Sequence, residues 1–283
     1  MVRASLESFL DTAPQVVEIA VEAVTGSAPR DTSTTMFVTE NSTWGTIGGG
    51  RLEHQAIQHA QAMMTGNKAA DHMELSLGPE IGQCCGGRVW LAFRVLSVSD
   101  RLQVLAQREG EQAKRPFAYV FGSGHVGRAL ARQLQHLPLV CVLVDSRADQ
   151  LELCDANVEK RLTAFPEADI KSAPHGAAFI VMTHDHGLDY LLASEALRRG
   201  DAAYVGMIGS KTKRAKFRNW AKKDMPIEIT DPLICPIGAS GLGDKRPSVI
   251  AACVAAEVVA VFTGGANLSG EIRNDIASLR RPA

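Results

Sequence analysis

The sequence predicts an α/β protein with two domains, a C-terminal Rossmann-like parallel sheet with helices on both faces and a smaller N-terminal α+β domain. Three observations lead to this fold class. A length of 283 residues suits two domains of ordinary size. The first third of the chain has the patterns of strands with one helix. From residue 117 strands and helices alternate, which is typical of a parallel sheet with crossover helices.

Strands and one amphipathic helix account for the N-terminal domain, which we place at residues 1–98. Apolar residues recur with helical spacing over residues 51–64. The segment 99–116 is polar, charged and helix-prone, and it predicts a linker helix that ends at Pro116. Runs rich in β-branched and aromatic residues predict strands at residues 16–24, 34–39, 71–77 and 88–96.

The Rossmann-like domain is predicted at residues 117–230. Its strands are expected at residues 117–122, 139–145, 177–183 and 202–209, and its helices at 125–137, 188–200 and 210–223. The remaining residues, 231–283, begin with a Gly-rich loop and continue into a long apolar helix, where Pro247 suits the first turn. This helix lies outside the alternation, so it is a candidate for packing back on the N-terminal domain.

Composition and charge exclude several classes of function. A formal net charge of -1 and an aromatic content of 5% argue against nucleic acid as the main partner. The most apolar run, residues 249–262, is too short to span a bilayer and contains Glu257, so no membrane partner is expected. The N-terminus has no apolar core of a secretory signal, and the six cysteines have no regular spacing. A cytoplasmic protein is therefore expected.

The strongest local motif is GSGHVG, which follows a predicted strand and opens a predicted helix. Gly122 permits a tight turn, Gly124 lets the backbone approach an anion, and Gly127 allows close packing of helix on strand. The next strand ends at Asp145, where such folds hold a ribose hydroxyl. This motif supports an alternative function, an NAD-dependent oxidoreductase.

Further polar loops follow the other strands of the predicted parallel sheet. Ser210 is expected to cap a helix, while Lys211, Lys213 or Arg214 meets a phosphate. In THDHG, His184 and His186 are candidates for a metal site, although two histidines without a third ligand are more often hydrogen-bonding loop residues. Together with His125, they are also the candidates for proton transfer in an oxidoreductase.

The loop LGPEIGQCCGGRV contains two adjacent cysteines, Cys84 and Cys85, and three interpretations stay open. The thiols are buried small hydrophobes, soft ligands for a metal such as molybdenum or copper, or a redox-sensing pair. Zinc is disfavoured because no second cysteine pair completes a tetrahedral site. Gly86 and Gly87 would let a bulky group lie against the chain and leave backbone N–H groups free. Cys235 is a possible further thiol, although a packed residue is the better interpretation.

A series of motifs, in order and at matching spacing over nearly the whole chain, resembles the XdhC/CoxI family and in particular its xanthine dehydrogenase accessory branch. In the first domain the resemblance depends on GSAPR, GTIGGGRLE and LGPEIGQCCGGRV. In the second domain it depends on VFGSGHVGRALA, VDSR, MTHDHGLD, YVGMIGSKTKRAKF and CPIGASGLGDKRPSVIAACVAAE.

The resemblance implies a chaperone without turnover of its own that binds the molybdenum cofactor, in its molybdopterin form or a dinucleotide form. It also implies a homodimer, with apo-xanthine dehydrogenase and a cysteine desulfurase as partners. Cys85 is the implied metal contact, because the carbon monoxide dehydrogenase branch keeps a single cysteine at that place. The implied cofactor-binding residues are Cys84, Cys85, Gly86, Gly87, Gly122, Gly124, His125, Gly127, Asp145, Ser210 and Lys211.

Overall fold

The chain folds into two compact units, Met1–Ala113 and Lys114–Ala283. The structure is a computed structural model that describes residues 5–66, 70–78, 86–223, 226–238 and 244–264. The predicted metal contact Cys85 and its neighbour Cys84 lie outside the described residues. The finer division of the chain at residues 98, 116 and 230 stays a prediction.

An antiparallel sheet of five strands forms the centre of the first unit. The sequence pattern reveals four of the strands, while the shortest one, with three residues, gives no periodicity to detect. The order across the sheet is β3-β2-β1-β5-β4. The strands are β1 (Val17–Thr25), β2 (Thr35–Val38), β3 (Thr43–Gly45), β4 (His72–Ser76) and β5 (Arg88–Val95).

Three helices cover this sheet: α1 (Leu6–Thr12), α2 (Gly50–Met64) and α3 (Val98–Ala113). Alternate residues of β1 point to one face, where Val17 and Ile19 pack in one core with Leu52 of α2. On the other face, Phe37 of β2 shares a smaller core with Val104 of α3. The helix predicted at residues 99–116 therefore contributes to the core of the first unit.

A parallel sheet of five strands forms the centre of the second unit, as the sequence predicts. The order of the strands is β10-β9-β6-β7-β8. From the central strand β6 the chain first adds β7 and β8 on one side, and then β9 and β10 on the other side. In such sheets ligands bind at the carboxyl ends of the strands where the order reverses, here between β6 and β9. The strands are β6 (Phe117–Phe121), β7 (Val140–Asp145), β8 (Glu159–Leu162), β9 (Ala178–Val181) and β10 (Tyr204–Met207).

Helices cover both faces of the parallel sheet, which confirms the predicted fold class. Val120 of β6 points to one face, where it packs in a core with residues of helices 125–134 and 247–262. Tyr119 points to the other face, where a second core contains residues of helices 167–172, 186–198 and 211–221. The helices are α4 (His125–Leu134), α5 (Ala148–Glu152), α6 (Glu167–Ser172), α7 (His186–Arg198), α8 (Lys211–Ala221), α9 (Ile227–Thr230) and α10 (Pro247–Phe262).

The apolar helix α10, considered above for packing on the N-terminal domain, belongs to the core of the second unit. Ala251, Val254 and Val258 are fully buried there together with Leu130 of α4. Small side chains such as Ala251 allow the two helices to approach closely. Within the described residues, no helix is both long enough and apolar enough to cross a bilayer.

Candidate functional site

The GSGHVG turn connects β6 to α4 beside the end of β9. Gly122 has a φ of 112°, and a Cβ added there would lie 2.7 Å from the carbonyl carbon of Met182. Gly127 lies against the carbonyl oxygen of Gly122, so a side chain there would clash as well. Gly124, by contrast, has no atom within 4 Å of an added Cβ, and it starts α4 without a side-chain cap. The first N–H groups of α4 therefore offer a place for an anion.

Asp145, at the end of β7, is buried and uses both carboxylate oxygens within the protein. One oxygen accepts hydrogen bonds from the backbone N–H of Ser123 (2.7 Å) and from Nη2 of Arg147 (2.9 Å). The other accepts from the backbone N–H and from Nε of Arg147, each at 3.0 Å. Burial raises the pKa of Asp145, but the hydrogen bonds from Arg147 and Ser123 outweigh it, and the net shift is downward. A ribose hydroxyl would have to compete with Arg147 for this carboxylate.

The THDHG segment forms the start of α7. Asp185 caps this helix by accepting hydrogen bonds from the N–H groups of Gly187 (2.6 Å) and Leu188 (3.0 Å). These two hydrogen bonds lower the pKa of Asp185, and the bond from Leu188 has the larger effect. His184 and His186 on either side are exposed. No group of three or more metal-binding side chains occurs among the residues that the structure describes, so it gives the two histidines no third ligand.

A buried ion pair that the sequence analysis missed links the carboxyl ends of β9 and β10. Asp189 of α7 is fully buried and accepts hydrogen bonds from the N–H (2.9 Å) and Oγ1 (2.7 Å) of Thr183. Its other oxygen pairs with Nζ of Lys213 at 2.5 Å, and this ammonium also donates to the carbonyl of Ile208 at 3.0 Å. Lys213 is thus engaged inside the protein and is not free for a phosphate.

The start of α8 agrees in part with the predicted phosphate site. Ser210 caps the helix by accepting a hydrogen bond from the N–H of Lys213 at 3.2 Å. Lys211, the first residue of the helix, is exposed and carries a cation at the same end of the sheet as Gly124. Arg214 is half-buried and donates from Nη2 to the carbonyl of Asp231 at 3.3 Å. Of the three basic residues predicted to meet a phosphate in this loop, Lys211 is therefore the exposed one.

The glycines after the cysteine pair form the stem of the loop that joins β4 to β5. The N–H of Leu77 donates to the carbonyl of Gly87 (2.7 Å), and the N–H of Gly86 donates to the carbonyl of Leu77 (2.8 Å). The expectation that Gly86 leaves its N–H free for a ligand is therefore wrong, because the stem uses it. Among the residues that the structure describes, nevertheless, none has an atom within 4 Å of a Cβ added to Gly86.

The GSAPR segment packs directly on this stem. Ser27 forms an isolated parallel bridge with Gly86. A Cβ on Gly87 would lie 2.6 Å from the carbonyl oxygen of Thr25, so a side chain has no room. Close backbone contact, rather than access for a cofactor, thus explains Gly87.

The GTIGGGRLE segment joins the same cluster through Pro29 and is held by a glutamate. A Cβ on Gly48 would lie 2.9 Å from Cβ of Pro29. Glu53, in the first turn of α2, accepts hydrogen bonds from the N–H groups of Ile47 and Gly49, each at 3.1 Å, and from Oγ1 of Thr46. GSAPR therefore contacts both the stem and GTIGGGRLE. The sequence of the motif alone does not predict this role of Glu53.

Most of the described cysteines lack the accessible thiol that a soft metal site requires. Cys141, Cys154 and Cys235 are buried, and Cys253 is partly exposed. Burial raises the pKa of the Cys141 thiol to about 12 and also raises that of Cys235. The position of Cys235, 3.8 Å from the carbonyl oxygen of Ser210, agrees with a packed residue at a turn.

Comparisons with known proteins agree with this architecture. A family model described as the XdhC Rossmann domain matches residues 118–258, and a model described as the XdhC and CoxI family matches residues 11–75. The uncharacterised protein YqeB of Escherichia coli strain K12 is 26% identical over 249 residues, which are 83% of this chain and 41% of that protein. The chain thus spans about two fifths of the length of that relative.

A crystal structure from Bacillus halodurans, described as that of a xanthine dehydrogenase, is similar in fold. The TM-score is 0.77 at 17% sequence identity, and the match covers 95% of this chain and 98% of that chain. At this identity the likeness shows the fold alone.

Proposed function

Because the chain belongs to the XdhC/CoxI family, with an accessory role of the XdhC type, we propose that it binds the molybdenum cofactor and assists its sulfuration and insertion into xanthine dehydrogenase. In this proposal apo-xanthine dehydrogenase and a cysteine desulfurase are its partners, and the protein acts as a homodimer. It protects the cofactor and delivers it chemically unchanged.

The observation that carries this proposal is the fixed stem of the loop bearing the cysteine pair. Two hydrogen bonds between Leu77 and the glycines, together with the bridge from Ser27 to Gly86, hold both ends of residues 79–85. A loop that is anchored at its base loses less conformational entropy when its tip binds a ligand. Cys141, Cys154 and Cys235 are buried and so lack the accessibility of a metal ligand. The choice of Cys85, with Cys84, as the soft ligand follows from the resemblance to the family.

The residues around the stem fit a pterin-bound metal in one further respect. None of the described residues, apart from its own chain neighbours, places an atom within 4 Å of a Cβ added to Gly86, so a bulky group could lie against the backbone there. When bound, the cofactor would supply the molybdenum centre and its dithiolene sulfurs. The protein would supply a thiolate from Cys85 and a fixed loop base.

The test is the molybdenum and pterin content of the protein purified from cells that make molybdopterin. We expect Cys85→Ser to lose most of the bound molybdenum relative to the parent. Cys253→Ser, which changes a partly exposed cysteine of the second unit, should retain it. If Cys85→Ser keeps as much molybdenum and pterin as Cys253→Ser, the proposed thiol contact is wrong. A parent protein free of both would refute cofactor binding.

The alternative, an NAD-dependent oxidoreductase, draws its support from the open N-terminus of α4 at Gly124. The engagement of Asp145 with Arg147 weakens it, because the expected ribose acceptor already has partners for both oxygens. Titration with NADH, followed by its fluorescence, separates the two functions. Tight binding with hydride transfer to a carbonyl compound would favour the oxidoreductase.

A further inference from the structure

A cavity of about 420 Å³ opens in the first unit, lined by residues of β1, β2, β3, α3 and the segment before β2. Phe37 and Val104 are buried and give it an apolar floor, and half-buried Trp44 forms a wall. Its volume falls within the range of small-molecule sites, roughly 300–1,000 Å³. Arg30 of GSAPR and Thr46 of GTIGGG also line it, although none of the predicted site residues does.

Arg108 of α3 is the central polar group of this cavity. Its guanidinium carbon lies 5.3 Å from the centroid of the Trp44 ring, and Nη2 donates a hydrogen bond to Oγ1 of Thr35 at 3.0 Å. Within the described part of the chain it has no carboxylate partner, even though Glu18 and Glu111 line the same cavity. Arginine has five N–H donors. A half-buried guanidinium with most of its donors unused is suited to an anionic ligand.

The charges around Arg108 leave the cavity with a positive excess. Arg30 is exposed, and it makes no hydrogen bond or ion pair with the described residues. Glu18 is neutralised by Arg94, whose Nη2 and Nε lie 2.7 Å and 3.1 Å from its carboxylate. Glu111 therefore opposes the two arginines alone, and it accepts a hydrogen bond from Gln107 (3.1 Å) at the rim.

Two hydroxyl groups complete the set of donors. Ser33, Thr34 and Thr35 follow one another along the rim. The hydroxyl of Thr34 already donates to the carbonyl of Asp31 at 2.8 Å, which leaves those of Ser33 and Thr35 for a ligand. Ser33 has a φ of 70°, which among the described residues is otherwise adopted by glycines alone. A serine held in this strained conformation places its backbone and hydroxyl at the edge of the cavity, as is common at binding sites.

From these residues we propose that the cavity binds a phosphomonoester of a small organic molecule. One arginine satisfies a carboxylate by a bidentate pair, whereas two arginines and two hydroxyls exceed what a carboxylate needs. A phosphomonoester carries a charge of about -1.5 to -2 at pH 7 and three acceptor oxygens, which match Arg108, Arg30 and the hydroxyls. The apolar floor at Phe37 and Val104 leaves room for the organic part. The proposal does not rest on the proposed function, and molybdopterin, which is itself a phosphomonoester, is one member of this class of ligands.

The experiment is calorimetric titration of the full chain at fixed ionic strength, in a buffer without phosphate. The probes are guanosine 5′-monophosphate, guanosine and inorganic phosphate. We expect the monophosphate to bind, guanosine to bind at least about tenfold more weakly, and inorganic phosphate to compete with the monophosphate. Loss of a charged hydrogen-bonding partner costs about tenfold or more in affinity.

Four variants locate the binding. Arg108→Gln should lower the affinity for the monophosphate at least about tenfold, and Arg30→Ala should lower it several-fold. Glu111→Gln should raise the affinity, because it removes the opposing charge. Arg88→Gln, an exposed arginine of the same sheet that pairs with Glu74 outside the cavity, should leave the affinity unchanged.

Two results overturn the proposal. One is that neither the monophosphate nor inorganic phosphate binds the parent. The other is that Arg108→Gln and Arg30→Ala bind the monophosphate as the parent does. Arg108 packs on Trp44, so its replacement could affect folding, and circular dichroism must show that each variant is folded. If Arg108→Gln does not fold, Arg30→Ala and Glu111→Gln still test the proposal. Molybdenum retention by Arg30→Ala separates this site from the cofactor function. Unchanged molybdenum with weakened binding of the monophosphate shows two separate sites, whereas loss of both identifies the phosphate of molybdopterin as the group that the cavity binds.

Discussion

Replacement of Asp189 by asparagine should strongly destabilise the second unit. Asp189 has no exposed surface, and its partner Lys213 has a side-chain exposure of 11%. The asparagine keeps the shape and one acceptor oxygen. It removes the negative charge opposite Nζ of Lys213, which is then left with the carbonyl of Ile208 alone.

The expected cost follows from what each single change leaves behind. Breaking a buried pair by neutralising one partner costs about 3 to 5 kcal/mol, because the other charge stays buried and uncompensated. Lys213→Met should fall near the lower end of that range, since the carboxylate of Asp189 keeps its two hydrogen bonds from Thr183. The double variant leaves no buried charge. Its cost should be smaller than the sum of the two by about 1 to 3 kcal/mol.

Hydrogen exchange in increasing denaturant measures these costs separately for each unit. Peptides from β9 and β10 report on the second unit, and peptides from β1 and β5 serve as the internal control. The free energy of opening should fall in the second unit and stay unchanged in the first. The reasoning is refuted if both single variants cost less than about 1 kcal/mol, or if their costs add within about 0.5 kcal/mol.

Two further predictions follow from the geometry of the motifs. The lowered pKa of Asp145 means that its charged form stabilises the fold above its unfolded pKa of about 3.9, and that this contribution is lost as the pH falls toward the lower folded value. The stability gap between the parent and Asp145→Asn in the second unit should therefore narrow from pH 7 to pH 3, and a constant gap in denaturation experiments would contradict the assignment. Gly87→Ala should destabilise the first unit by about 1 to 3 kcal/mol through overpacking against Thr25 and Ser27. Gly78→Ala, in open space on the same loop, should change stability by less than about 1 kcal/mol, and equal effects in a thermal unfolding assay would exclude the close contact.

The parts of the fold that the sequence predicts are those encoded locally. The central strands of the parallel sheet are buried on both faces, so they appear as continuous apolar runs. Edge strand β8, with the sequence EKRL, buries almost nothing and gives no such signal. The turn at Gly122 is equally local, because a tight turn and close helix packing both require glycine within a few residues.

The side-chain partnerships of the site depend instead on tertiary structure. Asp189 and Lys213 are separated by 24 residues, and nothing in either helix indicates that they meet. Asp145 was predictable as the acid at the end of β7. The partner of Asp145 was not predictable. Whether its carboxylate binds Arg147 or a ligand depends on the side-chain conformation of Arg147, which the sequence does not reveal. The contact between Pro29 and Gly48 likewise arises only when two loops of the antiparallel sheet are brought together.

The glycines of the motifs do not all give the same information about a ligand. Gly122, Gly127 and Gly87 have neighbours so close that the fold itself requires them, with or without a bound molecule. At Gly124 and Gly86 no atom of the described residues lies where a side chain would be, so packing against those residues does not account for the missing side chain. At Gly86 a positive φ of 69° offers a second reason for glycine, and its N–H is already used by Leu77. Gly124 has neither a positive φ nor a close neighbour. Of the five, it is therefore the glycine for which approach of a ligand to the backbone is the best physical explanation.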